Sequence, residues 1–318
     1  MGVCVLVAFF ALGAQAFAGD SDQTRAPRRG DIRVDTNLVL IPVSVTDARN
    51  HPVVGIDARQ FRVFDGKVEQ EVVNVSTEDT PVSVGIVFDA SASMKSKLEK
   101  ARDAVIEFLK SANPDDEFFL VNFASTAEVA VPFTTSGAEI QSKLMYATNK
   151  GKTALLDAVH LAFDTMRDAR NARKALFIIS DGGDNDSRYT KREVLNAMLE
   201  SDTWIYALGV YGNEPVMLPE EERGGPLLLA ELAEQTGGRH VAIHKLSELP
   251  SAAAKIGLEL RNQYLVGYHP SKVDSDGKFH KVQVKLVDSA GNLQLSWRPG
   301  YYAPQDRAGL RPLILDPR

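Results

Sequence analysis

The most chemically informative part of the sequence is a short polar segment that follows a run of uncharged residues. Residues 82–88 carry no charge and lead directly into Asp89, Ser91 and Ser93. An uncharged, β-branched run predicts a strand that is buried on both faces of a parallel sheet. Ligands bind at the carboxyl ends of such strands, and oxygen-bearing side chains suit hard cations such as Mg²⁺, Mn²⁺ or Ca²⁺. The segment therefore predicts a divalent-cation site, with Mg²⁺ as the first choice.

Two further polar loops lie at equivalent positions in the predicted sheet. Gly151-Lys152-Thr153 comes just before a helical pattern, and Asp181 ends the predicted central strand of residues 174–181. The carboxyl ends of parallel strands share one edge of the sheet, so Thr153 and Asp181 are expected beside Asp89, Ser91 and Ser93. Together these loops would bring two acids and three hydroxyls to that edge.

The elements that must position these loops are strands and helices in alternation. Strand patterns alternate with helical patterns over residues 81–260, which predicts a doubly wound, mostly parallel α/β sheet with helices on both faces. Residues 34–77 and 262–303 have strand chemistry instead, including a return strand at 69–75 after the Asp65-Gly66 turn. The first of these segments is too short to bury a core alone. Both are therefore expected to pack into one small flanking domain resembling a β-sandwich.

Composition and the chain ends narrow the class of protein. The chain has 318 residues and a net charge of −6, so no basic surface for nucleic acid is implied. Residues 1–18 are almost wholly apolar and predict a secretory signal peptide, followed by a linker at 19–33; a retained apolar anchor is the alternative. The only cysteine is Cys4, so the mature chain would have none, and no transmembrane segment is predicted in it. Residues 304–318 are expected to form a tail, and the location is secreted or periplasmic.

The three loops together closely resemble the von Willebrand factor type A domain and its metal-ion-dependent adhesion site. That family carries Asp-x-Ser-x-Ser, a distant Thr and a distant Asp, which Asp89, Ser91, Ser93, Thr153 and Asp181 match in order. The resemblance covers residues 81 to about 260. It implies a site that holds a divalent cation and binds a carboxylate of a partner protein.

The segments on either side of residues 81–260 also resemble known proteins, and two residues within the domain differ from the family's usual pattern. Residues 38–43, 61–66 and 298–302 look like the framing segments of secreted, acidobacterial-type von Willebrand factor A-related proteins. The family often has glycine where Ala92 and Lys152 stand here. Neither difference removes an oxygen ligand. A lysine beside the metal loop would either lower the affinity for a cation or extend its side chain outward into solvent.

The expected function is metal-dependent protein binding and adhesion, not catalysis, and two other readings stay open. A metal-dependent hydrolase or phosphoryl-transfer enzyme would use the same cation, but no histidine lies in the three loops to act as a base. The Gly151-Lys152-Thr153 segment is not a phosphate-binding loop, because Tyr146 stands where that motif needs glycine. The third reading is a cell-envelope scaffold with a vestigial metal site. Ser93 could also be a simple helix cap, and His240 and His244 are expected to be structural.

Overall fold

The structure of this chain is a computed structural model. It describes residues 38–77, 79–147, 150–211, 224–272, 277–287 and 292–303. The chain divides into a unit at Met1–Thr36 and a larger unit at Asn37–Arg318. The first unit lies outside the described residues, and so do the predicted signal peptide, linker and C-terminal tail. The fold below is therefore that of the larger unit.

The larger unit contains a six-stranded sheet with helices on both sides. The strands and helices of this α/β part follow one another along the chain as β5 (Val82–Asp89), α1 (Leu98–Leu109), β6 (Glu117–Phe123), β7 (Ala127–Thr134), α2 (Gly137–Met145), α3 (Leu155–Met166), β8 (Arg173–Ser180), α4 (Lys191–Glu200), β9 (Thr203–Val210), α5 (Gly225–Thr236), β10 (Arg239–Ile243) and α6 (Leu249–Arg261). The strand order is β10-β9-β8-β5-β6-β7. All neighbouring pairs are parallel except β6 with β7, which forms an antiparallel edge. The predicted fold class, a mostly parallel sheet between layers of helices, is confirmed.

The central strand β5 is buried along its whole length, as its uncharged sequence predicts. Alternate residues of β5 enter two hydrophobic cores, one on each face of the sheet, with Ile86 in one core and Val87 in the other. Gly85 is required in the middle of this strand, because a Cβ there would lie 2.2 Å from the ring of Phe119. This close packing on both faces fixes where β5 ends, and so fixes Asp89.

Strands from both ends of the described chain form a flanking pair of sheets. They are β1 (Val39–Thr46), β2 (Phe61–Asp65), β3 (Val68–Gln70), β4 (Val72–Ser76), β11 (Tyr264–Tyr268), β12 (Phe279–Leu286), β13 (Gln294–Trp297) and β14 (Gly300–Tyr302). One sheet has the order β13-β1-β11-β4 and the other β14-β12-β2-β3, so each combines N- and C-terminal segments. Apolar residues of both sheets share one core that includes Val43, Val63, Tyr264 and Val284.

The predicted single return strand at 69–75 is wrong in one respect. Two strands form instead, with Glu71 between the end of β3 at Gln70 and the start of β4 at Val72. β3 pairs with β2, while β4 pairs with β11 in the other sheet. The chain therefore crosses from one sheet to the other at Glu71. Local alternation cannot reveal such a change of partner, because both strands keep the same period of two.

A buried polar cluster joins the β sheets to the α/β part. Glu259 of α6 is 1 % exposed, accepts a 2.7 Å hydrogen bond from the Ser44 hydroxyl of β1, and forms an ion pair with Arg239. Arg239 also donates to the side chain of Asn50. A buried acid needs such partners, because an isolated charge in the protein interior is strongly unfavourable.

Candidate metal centre

The first and third predicted loops meet because their strands are neighbours in the sheet. β5 and β8 run parallel with Phe88 opposite Ile179, so Asp89 and Ser180 end the two strands at the same level. The Ser180 hydroxyl donates a 2.5 Å hydrogen bond to Oδ2 of Asp89 and accepts one from the backbone N–H of Gly182. Asp181 therefore follows directly beside the Asp89 carboxylate.

Asp89 also organises its own loop. Its Oδ1 accepts a 2.8 Å hydrogen bond from the backbone N–H of Ser91, and the Ser91 and Ser93 hydroxyl oxygens lie 3.0 Å apart. A single 3₁₀ turn at Ala92–Met94 follows, and Met94 is fully buried beneath it. The Ser91 side chain does not cap this turn, and Lys97 rather than Ser93 occupies the N-cap of α1. The helix-cap reading of Ser93 is therefore wrong, and the two hydroxyls lie together in one tight loop.

The second loop is joined to the first by backbone hydrogen bonds. The N–H of Ala92 donates to the carbonyl of Gly151 at 3.2 Å, and the N–H of Lys150 donates to the carbonyl of Ala90 at 3.2 Å. Gly151 has φ +88°, and a Cβ there would lie 2.5 Å from the Ser125 hydroxyl, so this position requires glycine. The loop that carries Thr153 is thereby held against the loop that carries the two serines.

Thr153 is also fixed to the third loop. Its N–H donates to the side chain of Asn185 at 2.9 Å, and its carbonyl accepts from the N–H groups of Asn185 and Asp186. Thr153 is buried, with 4 % of its surface exposed. The fold thus connects the loops that carry all five predicted ligands: Asp89, Ser91, Ser93, Thr153 and Asp181. Their role as metal ligands stays a prediction.

The two acids of the site are held in unequal environments. Burial, together with the nearby charge of Asp181, raises the pKa of Asp89 to about 6, despite its hydrogen bonds from Ser180 and Ser91. Asp181 has a cationic partner, because the Lys97 ammonium lies 3.0 Å from its Oδ2. The two acids therefore place negative charge at this edge of the sheet, and the Lys97 ammonium offsets part of it.

Three side chains of the site were missed or misjudged in the sequence. The predicted ligands do not include Lys97, Ser180 or Asn185, yet all three contact residues of the predicted site. Their sequence signal is weak: Ser180 precedes the motif acid, and Lys97 lies four residues after Ser93. Only the strand register and the turn before α1 bring them to the site.

The neighbouring charged residues of the third loop have other partners. Asp184 accepts hydrogen bonds from the Ser187 hydroxyl and from the N–H of Leu156 in the first turn of α3. Lys152 extends towards Asp186, 3.4 Å away, and its side chain is 66 % exposed. Lys152 therefore points outward and does not contact the acids of the candidate site.

The two histidines belong to a separate aromatic contact at the ends of β9 and β10. The Tyr211 hydroxyl and Nε2 of His240 lie 2.9 Å apart, and the ring of His244 is 5.9 Å from that of Tyr211. Burial lowers the pKa of His240, so the ring is neutral near pH 7.

Within the described ranges, no group of three His, Cys, Asp or Glu side chains is placed to hold a metal ion. A metal at the predicted site would therefore depend on serine and threonine hydroxyls as well as on the two acids.

The donor set fits such an ion. Two carboxylates and neutral hydroxyls are hard oxygen ligands, which Mg²⁺, Mn²⁺ and Ca²⁺ prefer. A divalent cation held by Asp89 and Asp181 would offset the repulsion between the two carboxylates. The residues present are thus chemically suited to a divalent cation.

Comparison with known families decides what kind of domain carries this site. The sequence profile of the von Willebrand factor type A domain matches residues 84–183, which include all five predicted ligands. This chain contains a von Willebrand factor type A domain. The predicted resemblance is confirmed for the domain, and domains of this type often act in adhesion or protein interaction. The acidobacterial-type affiliation of the flanks stays a prediction.

Other similar proteins add little about activity. An uncharacterized protein of Borreliella burgdorferi is 25% identical over 181 residues, which is 50% of this chain and 53% of that protein, so the chain spans about half the length of this relative. A solved von Willebrand factor type A structure from Catenulispora acidiphila shares the fold at 12% identity, with a TM-score of 0.50, covering 87% of this chain and 76% of its own. BatB from Bacteroides thetaiotaomicron is 22% identical, with a TM-score of 0.46, over 57% of this chain and 100% of its own. None of the helices in the described ranges is long and apolar enough to cross a membrane.

Proposed function

We propose that this von Willebrand factor type A domain is a metal-ion-dependent protein-binding module that acts in adhesion outside the cytoplasm. The observation that carries the proposal is the Ser180–Asp89 hydrogen bond together with the linked loops of Ser91, Ser93 and Thr153. These contacts hold hydroxyls and acids in the order of the family's metal-binding motif. The location rests on the apolar segment at residues 1–18, which predicts a secretory signal.

Each predicted ligand has a defined part in this proposal. Asp89, Ser91, Ser93, Thr153 and Asp181 would hold the cation, with Mg²⁺ the first choice. When bound, the cation supplies an electrophilic centre that an Asp or Glu carboxylate of a partner protein can coordinate. Ser180 orients Asp89 by donating to Oδ2, and Asn185 positions Thr153 by accepting its backbone N–H.

Binding is favoured over catalysis by the groups that lie around the acids. The Ser180 hydroxyl donates a hydrogen bond to Asp89, the Ser91 side chain also contacts Asp89, and the Lys97 ammonium donates to Asp181. Lys97 is engaged as an ammonium donor, and Ser180 already donates to a carboxylate, so neither is arranged as a general base. Hydrolysis of ester substrates by the Mg²⁺-loaded chain would contradict this reading.

The test measures metal binding and partner binding separately. Isothermal titration of the full chain with Mg²⁺ and Mn²⁺ should show one site, which Asp89→Asn and Ser93→Ala abolish or weaken strongly. Asp103→Asn is the matched control, because Asp103 forms a partly exposed ion pair with Lys100 on α1. Metal binding that is unchanged in Asp89→Asn would contradict the assignment of the site.

Partner binding is tested by capture from cell-envelope extract. Proteins held by the wild-type chain with Mg²⁺ should be released by a chelator, should not bind Asp89→Asn, and should be lost after amidation of the extract's carboxyl groups. Capture that is indifferent to chelator would favour the scaffold reading instead. Fractionation of cells and the N-terminal mass of the extracted chain check the predicted export.

A further inference from the structure

Lys97 stands out among the lysines of the structure because its charge is directed into the candidate metal centre. Its ammonium lies 3.0 Å from Oδ2 of Asp181, and both side chains are only 14 % exposed. Lys100, three residues further along α1, is 44 % exposed and pairs with Asp103 in solvent. A lysine that gives up most of its hydration needs a compensating acid, and Asp181 supplies it.

The backbone holds Lys97 where this contact is made. Its N–H donates to the carbonyl of Met94 at 2.9 Å, and its own carbonyl accepts from Ala101 in the first turns of α1. Met94 and Leu98 on either side are buried in the core. The Lys97 side chain therefore starts from a rigid turn directly after the serine loop and reaches across to the third loop.

The charge balance at this edge explains what the ammonium does. Asp89 is fully buried beside Asp181, and the two carboxylates repel each other. The positive charge of Lys97 offsets part of this repulsion through its ion pair with Asp181. A divalent cation that uses the same carboxylate meets a positive charge already in place.

We propose that Lys97 is a built-in competitor of the metal, which occupies Asp181 in the metal-free protein and has to leave this carboxylate when the cation binds. The proposal rests on the metal site proposed above and specifies how that site is regulated. Lys97 lowers the affinity for the cation and thereby raises the metal concentration at which the module becomes active. It also keeps the metal-free protein stable by neutralising an acid pair.

The competitor role predicts two changes of opposite sign in one variant. Lys97→Met keeps a long apolar side chain but removes the ammonium, so the metal-free chain should unfold at a lower temperature. The same variant should bind Mn²⁺ and Mg²⁺ about tenfold more tightly, since removal of a nearby positive charge favours a cation. Lys100→Met is the matched control, and its metal affinity should equal that of the wild type.

A second measurement needs no variant. Brief acetylation of the wild-type full chain, followed by peptide mass spectrometry, reports how accessible each lysine amine is. Addition of Mg²⁺ should increase the labelling of Lys97 severalfold, because the ammonium leaves Asp181, whereas the labelling of Lys100 should not change. Labelling of Lys97 that is unchanged by saturating Mg²⁺ would overturn the proposal.

The outcomes separate this inference from the proposed function. Tighter metal binding by Lys97→Met, or binding by this variant where the wild type shows none, supports the competitor role. Equal or weaker binding by Lys97→Met overturns it and leaves the metal-dependent module intact, because Lys97 would then only support the structure. If neither protein binds metal, the proposed function fails, and this inference fails with it.

Discussion

The Ser180 hydroxyl donates a 2.5 Å hydrogen bond to Oδ2 of Asp89 across the ends of two parallel strands. The same hydroxyl accepts the N–H of Gly182, so it links the buried acid to the loop that carries Asp181. One small side chain therefore holds two of the three predicted site loops in register.

Ser180→Ala should destabilise the metal-free protein and weaken metal binding. The substitution removes a donor to Asp89 and leaves the Gly182 N–H without its acceptor, which costs about 1–3 kcal/mol of the free energy of unfolding. Urea denaturation and titration with Mn²⁺ measure the two effects. Ser201→Ala is the control, because the Ser201 hydroxyl donates only to a nearby carbonyl at the end of α4, that of Met198. Equal losses in both variants would show that Ser180 has no special role.

Asp89→Asn should stabilise the chain in the absence of metal while abolishing its response to metal. The pKa of Asp89 is raised to about 6, so at pH 7.5 the buried carboxylate must carry a charge that burial and Asp181 disfavour. Stability from this group is fully present below its unfolded pKa and is lost as the pH rises through about 6. Removing the charge should therefore raise the unfolding free energy by about 1–3 kcal/mol at pH 7.5.

Thermal unfolding with Mg²⁺ and with a chelator checks this prediction. The wild-type protein should gain stability from Mg²⁺, whereas Asp89→Asn should not. A metal-free Asp89→Asn protein that unfolds more easily than the wild type would show that the negative charge of Asp89 is not a source of strain.

Asp157→Asn should destabilise the protein near neutral pH and have less effect in acid. The pKa of Asp157 is lowered, although burial by itself would raise it. Hydrogen bonds from the N–H groups of Tyr189 and Arg188 and from the Arg188 side chain stabilise the carboxylate and outweigh the effect of burial. The stabilisation is present above the unfolded pKa of about 4 and is lost as the pH falls through the lower folded value. Loss of these interactions should cost about 1–3 kcal/mol at pH 7.

The measurement is urea denaturation of the wild type and Asp157→Asn at several pH values. The gap between them should narrow as the solution is acidified below about pH 4. Asp164→Asn is a matched control on the same helix, because Asp164 is half-exposed and its ion-pair partners are His160 and Arg167. A gap that stays constant with pH would mean that Asp157 acts through packing and not through its charge.

Glu259→Leu should be strongly destabilising because it leaves the buried charge of Arg239 without its acidic partner. Both side chains are largely buried, and Glu259 also accepts from Ser44 of β1. Breaking a buried ion pair from one side costs about 3–5 kcal/mol, whereas replacing both partners is often nearly neutral. The double variant Glu259→Leu, Arg239→Leu should therefore recover most of the lost stability in urea denaturation. Additive losses in the double variant would contradict the pairing.

Much of the fold followed from local patterns. The uncharged run of β5 predicted a strand buried on both faces, and strand–helix alternation predicted the parallel sheet between helices. The change of sheet at Glu71 was not predicted, because β3 and β4 have the same alternation and differ only in their distant partners. Elements are visible in short-range periodicity, while strand partners depend on contacts far along the chain.

The order of the motif residues was sufficient to indicate the kind of domain and the oxygen chemistry of its candidate site. These residues are Asp89, Ser91, Ser93, Thr153 and Asp181. Only the folded chain showed that Ser180 orients Asp89 and that Lys97 places an ammonium on Asp181. The reason is that a motif shows which side chains are available but not which other side chains contact them. Lys97 and Asp181 are 84 residues apart in sequence, and Asp89 and Ser180 are 91 residues apart. Those neighbours meet only when β5 and β8 pair and α1 packs beside them.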